Sequence, residues 1–169
     1  MKLHEIKSWG VDVGNVLIRN ASNRAIEQKQ LTFKEVVNKL FLVPDALLGL
    51  RMLVQKVGPE NVWIVSKATR EQSAVTRLAL ERFRFYQTTG LRKDQVLFCP
   101  ERKDKRPIIK ALELEGHVDD RGEVIESIQS FVKCPIWFHP EEKETEEWAS
   151  KIKYNVRVVS GWKQIMEIF

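Results

Sequence analysis

Ser8-Trp9-Gly10-Val11-Asp12-Val13-Gly14-Asn15-Val16-Leu17 reads as a short apolar strand that delivers one aspartate into a tight turn containing glycine. Open α/β sheets bind ligands at the carboxyl ends of their strands, so a carboxylate placed there reads as part of a chemical site. Further short runs rich in β-branched or aromatic residues follow at Val62–Val65, Val96–Phe98, His117–Val118, Ile136–Phe138 and Val156–Val159. Helical patterns fill the gaps, at Leu31–Leu42, Asp45–Val57, Arg70–Arg84, Arg106–Glu115, Val124–Val132 and Glu141–Lys153. Pro44-Asp45 and Pro107 mark helix starts, and Gly58 and Gly116 stand where helices should stop. Strands alternating with helices imply βαβ units, hence an α/β fold with a three-layer, doubly wound, mainly parallel sheet.

A chain of 169 residues with 43% hydrophobic content is the size of one ordinary domain. No linker, repeat or low-complexity block divides it, so residues 1–169 are expected to form a single domain with a small helical insert at about 19–44. No apolar run approaches the roughly 18 residues that span a bilayer, and no apolar leader follows the N-terminus. The expectation is a soluble, cytoplasmic protein without a membrane partner. Cys99 and Cys134 have no metal-ligand spacing and read as reduced, buried thiols. The net charge of +5 favours anionic partners, phosphorylated small molecules or polymer ends, and supports nucleic acid only weakly because no single basic arm concentrates it.

The residues at the strand ends are Asp12, then Ser66, then Cys99-Pro100, then Asp119-Asp120, then His139-Pro140, with Lys103 and Lys105 close to the third. In a parallel sheet these ends share one edge. Acidic oxygens converging without thiolate or imidazole ligands suit a hard cation such as Mg²⁺. Lysine supplies a mobile charge for phosphate, and Ser66 a hydrogen-bond donor to its oxygens. These parts compose a phosphoryl-transfer site in which positioning and charge neutralisation dominate. Taken singly, Asp12 is also a good turn residue and Ser66 a good helix cap. His117 and His139 read as structural groups, and the tryptophans as core.

The order of these segments resembles the haloacid dehalogenase (HAD) superfamily over roughly Trp9 to Phe138. Asp12 in Val11-Asp12-Val13-Gly14-Asn15-Val16, a DxGNV form, matches the nucleophile motif. Ser66 in Trp63-Ile64-Val65-Ser66-Lys67 matches the second motif, and Asp119-Asp120 the acidic, magnesium-binding motif. Lys105 looks like the motif lysine, with Lys103 the alternative. The resemblance implies attack by Asp12 on phosphorus, an aspartyl-phosphate, and its hydrolysis by water. It implies Mg²⁺ held by Asp12, the Gly14 carbonyl and Asp119, with Asp120 assisting or orienting Lys105. Asn15, Ser66, Lys67, Lys103 and Lys105 are the expected substrate-binding residues.

Two departures matter. The typical second aspartate, which protonates the leaving group and activates water, is replaced by Gly14. A general acid or base contributes about 10²–10⁴ in rate, so the alternative is a weak or inactive protein that binds a phospho-ligand or partner. Only about thirty residues separate the first motif from the helix before Val62, too few for a large cap domain, so an open site is expected. A basic stretch comprising Arg92-Lys93, Arg102-Lys103 and Lys105-Arg106 offers either contact to a phosphorylated polymer or a solvated loop.

Overall fold

Short Val-, Ile- and Trp-rich segments suit the strands of a covered parallel sheet, and the computed structural model builds one. It describes residues 5–20, 32–153 and 155–168. The strands are β1 (Trp9–Val11), β2 (Ile18–Asn20), β3 (Leu40–Leu42), β4 (Val62–Lys67), β5 (Val96–Cys99), β6 (Gly116–Asp119), β7 (Cys134–Phe138) and β8 (Arg157–Val159). The helices are α1 (Phe33–Asn38), α2 (Ala46–Val57), α3 (Arg70–Arg82), α4 (Phe85–Thr89), α5 (Lys105–Ala111), α6 (Gly122–Ile128), α7 (Glu142–Trp148) and α8 (Trp162–Ile168).

Six strands form the sheet in the order β5-β4-β1-β6-β7-β8, and every pairing is parallel. The chain winds outward through β4 and β5, then returns to β6 on the other side of β1. The winding therefore reverses at β1, and the crevice beyond its carboxyl end is where such sheets bind ligands. One face is covered by α2, α3, α4 and α8, whose Leu50, Leu53, Leu80, Phe85 and Trp162 pack with Trp9 and Val11. The other is covered by α5, α6 and α7, through Ile109, Ile125, Ile128 and Trp148 on Val65 and Trp137. The three-layer α/β architecture without a large cap is as the sequence indicates. No helix among the described residues is long and apolar enough to cross a membrane.

The differences from the sequence reading are local. Leu31–Leu42 is not one helix: Thr32 caps α1 by a capping box with Glu35, and Leu40–Leu42 forms an antiparallel pair with Ile18–Asn20. Apolar spacing there serves burial by a hairpin rather than a continuous helical face. Residues 21–31, including Leu31 and much of the expected insert, lie outside the described residues. Gly58 ends α2 with a φ of 90°, but Gly116 opens β6 instead of closing a helix. Its hydrogen in place of a side chain admits the Trp9 ring. The helical pattern from Arg106 yields α5, which stops at Ala111, with Glu113 left-handed at φ 50° in the turn to β6. The short α4 carries no signal in the sequence long enough to separate it from α3. Both cysteines are buried free thiols.

Candidate active site

The turn after β1 sets the geometry of the site. Leu17 and Ile18 both donate their N–H groups to the Val13 carbonyl, at 2.9 and 3.0 Å, folding the chain back on itself. The left-handed residue in this turn is Asn15, with φ 57°, a conformation that Asn tolerates, and not Gly14. Asn15 also donates from Nδ2 to Asp120 Oδ2 at 2.9 Å, tying the end of β1 to the end of β6. Indoles on the two opposite faces of the sheet fix these loops: Trp162 of α8 donates to the Val16 carbonyl at 2.8 Å, and Trp137 of β7 to the Asp120 carbonyl at 3.1 Å.

Lys105, the first residue of α5, is enclosed between two carboxylates. Its Nζ lies 2.9 Å from Asp12 Oδ1 and 2.7 Å from Asp119 Oδ2. At 1% exposure it remains charged because both partners are there: burial disfavours the ammonium, but Asp119 and Asp12 outweigh it and raise its pKa. Asp119 is held on both oxygens. Its Oδ2 accepts from Lys105 and lies 3.3 Å from His117 Nε2, and its Oδ1 accepts the Arg121 N–H at 3.0 Å. His117 Nδ1 is buried without a partner, so the imidazole proton belongs on Nε2, where Asp119 receives it. Burial pushes the Asp119 carboxyl up, but Lys105 and His117 prevail and hold it at about 2.

Asp120 faces the other way, into a cavity of about 390 Å³ that Asp12, Gly14, Asn15, Ser66, Lys67 and Lys105 also line. Arg121 Nε approaches its Oδ2 at 3.4 Å, and Glu144 on α7 holds Arg121 at 2.7 Å while accepting the Gly122 N–H at 3.0 Å. Burial, followed by the charges of Asp12 and Asp119, lifts the Asp120 carboxyl to about 7. Burial likewise raises Asp12, against Lys105 and with Asp119, while the Ser66 hydroxyl offsets part of the rise.

Of the residues singled out by sequence, Asp119 lies beneath the cavity instead of lining it, and it is Asp119, not Asp120, that holds Lys105. Lys103 is brought to a different place: it is 73% exposed and 2.7 Å from Glu101. Arg92 and Lys93 pair with Asp94 and Glu81 away from the cavity, so the basic stretch does not form one surface, and only Arg102 and Lys105 of it face inward. His139 is exposed outside the cavity lining. Sequence reasoning named Arg102 only within the basic stretch, missed Arg121 and Glu144, and set His117 aside. Adjacency to Asp120 was a signal for Arg121, and a histidine two residues before Asp119 on the same strand face was one for His117. Glu144 comes from a distant helix and left none.

The carboxylates fit a hard divalent cation. Asp12, Asp119 and Asp120 each offer an oxygen within 4.8 Å of the others, all buried, with no sulfur or free imidazole nitrogen in the set. Asp12 Oδ1 is buried without a hydrogen bond, its ion pair with Lys105 lacking the alignment of one. Asp12 and Asp120, which face the cavity, are the carboxylates left with capacity to bind.

No protein-family model and no curated protein matches the chain by sequence. In three dimensions it is similar to D,D-heptose 1,7-bisphosphate phosphatase from B. bronchiseptica complexed with magnesium and phosphate, with TM-score 0.61 and 12% identity over 95% of this chain and 96% of that one. It is also similar to the enzyme of the same name from Burkholderia thailandensis, with TM-score 0.59 and 14% identity over 95% and 96%. A haloacid dehalogenase-like hydrolase from Streptococcus pneumoniae matches with TM-score 0.59 and 7% identity over 97% and 99%. The fold is that of the HAD-like hydrolases.

Proposed function

From the premise of a HAD-like hydrolase fold, we propose that the chain is a Mg²⁺-dependent phosphatase or phosphotransferase that works through Asp12 on a phosphorylated substrate. The observation that carries this reading is the enclosure of Lys105 between Asp12 and Asp119 at 2.9 and 2.7 Å, beside the open carboxylate of Asp120. An ammonium has three N–H groups. One is given to Asp119 and the contact with Asp12 is an ion pair, so donor capacity remains for a phosphoryl oxygen, and Ser66 offers another donor. Asp12 attacks phosphorus in line as the bond to the ester oxygen breaks, the released oxygen takes a proton from solvent water, and a second water then attacks phosphorus, releasing inorganic phosphate and regenerating the Asp12 carboxylate. Mg²⁺ held by Asp12, Asp120 and the Gly14 carbonyl, with Asp119 supporting them from beneath, would neutralise charge on the phosphoryl oxygens. Asn15 and Arg121 keep Asp120 aimed into the cavity.

Gly14 favours a second reading, in which the site binds a phospho-ligand with little turnover because the usual acid is missing. The test is phosphate release from a panel of sugar phosphates, nucleotides and phosphorylated oligonucleotides, with and without Mg²⁺. Mg²⁺-dependent release supports the enzyme. Binding without release across the panel supports the second reading.

A further inference from the structure

We propose that the cavity takes a small phosphoester carrying a second anionic group, held by Lys67 and Arg102; this rests on the phosphotransfer reading of the site. The cavity is lined by the cations Lys67, Arg102, Lys105 and Arg121 and the anions Asp12 and Asp120. Two of the cations are matched internally. Lys105 lies between Asp12 and Asp119, and Arg121 is held by Glu144 at 2.7 Å and approaches Asp120 at 3.4 Å. Among the described residues Arg102 pairs with Glu123 at 3.7 Å, with both side chains more than two-fifths exposed at 43% and 46%, a contact worth little in water. Among the described residues Lys67 enters none of the ion pairs around the cavity.

These two surplus cations line the same cavity. Lys67 closes β4 and pairs with Cys99, which closes β5; the Ala68 N–H bonds the Cys99 carbonyl at 2.9 Å, and Arg102 follows in the next turn. Lys67 stands at the end of β4, and Arg102, in the turn after β5, reaches toward Glu123 at the start of α6, so the two line different sides of the same cavity. A single phosphoryl group already finds Lys105, Ser66 and the cation that the carboxylates would bind. Lys67 and Arg102 are left for a further negative charge on the same molecule. The cavity of about 390 Å³ is at the small end of ligand sites and suits a metabolite-sized ligand.

The test compares substrates that differ by one anion: glycerol 3-phosphate with 3-phosphoglycerate for a carboxylate, and fructose 6-phosphate with fructose 1,6-bisphosphate for a phosphate. Both kcat/KM and, by calorimetry with Mg²⁺ present, Kd are measured. The doubly anionic member of at least one pair is favoured by about tenfold, the size of one charge-assisted contact. The pair that shows the preference identifies the second anion. The preference falls toward one in a Lys67→Ala/Arg102→Ala variant and persists in Arg92→Ala/Lys93→Ala, which removes equal charge elsewhere. If no substrate turns over but the Kd preference is present and lost only in the first variant, the enzyme reading fails and the anion site stands. Equal values within both pairs, or a preference that the two variants reduce alike, overturn the proposal.

Discussion

Gly10 and His117 face each other across β1 and β6, and the imidazole occupies the space that a side chain on Gly10 would need. A Cβ at Gly10 would lie well inside contact distance of His117 Nδ1, with Leu114 closing the other side at 2.8 Å. The glycine thus lets a histidine reach Asp119, which in turn steadies Lys105. Gly10→Ala should destabilise the protein by about 1–3 kcal/mol, the cost of overpacking a closed core. Urea denaturation measures it, and turnover should fall with it because the Asp119–Lys105 contact is displaced.

Replacing Lys105 by Met should cost about 3–5 kcal/mol, since it leaves Asp12 and Asp119 buried without their counter-charge. Phosphate release should be lost. Lys105→Arg should not restore it, because a planar guanidinium does not fit a point-charge position between two carboxylates. Chemical denaturation and activity of both variants check this.

Asp120 gives the metal-free protein a pH dependence with a defined sign. Its carboxyl rises from 3.8 to about 7 on folding, so between those values the folded state holds more protons and stability falls as pH rises. Asp119 acts oppositely and lower: held at about 2, it contributes stability that is lost as pH falls from 3.8 toward about 2. Thermal melts should therefore show the metal-free protein losing stability from pH 5 to pH 7. Mg²⁺ should raise the melting temperature more at pH 8 than at pH 5, where protons compete for the same oxygens. Asp120→Asn should flatten the metal-free slope.

Gly14 is exposed and not left-handed, and a Cβ there would meet only Asp12 Oδ2 at 3.8 Å, an ordinary contact. Gly14→Asp should therefore fold normally. As the turn admits a carboxylate at the position where the resembled family carries its acid, turnover should rise, with about 10²-fold the lower bound for an acid–base group in place. Steady-state kinetics beside a melting curve measure both outcomes.

The sheet was legible because its inner strands are short, buried runs rich in β-branched residues, and their ends located Asp12, Ser66 and Asp119-Asp120 along one edge. The hairpin of β2 and β3 was not, since Leu40, Phe41 and Leu42 also fit a helical repeat when Ile18, their partner, is unknown. The division of labour between Asp119 and Asp120 was likewise hidden. It depends on alternation along β6, which turns Asp119 toward Lys105 and His117, and on Asn15 reaching Asp120 from the turn after β1. Glu144 and the two indoles act from far along the chain, where no local pattern announces them.

The central claim, that Asp12 is the nucleophile, is tested most directly by Mg²⁺-dependent phosphate release from Asp12→Asn beside the unaltered protein, with circular dichroism to establish that the variant is folded. Loss of release from a folded variant is the expected result. Metal-dependent turnover retained by that variant would contradict the account.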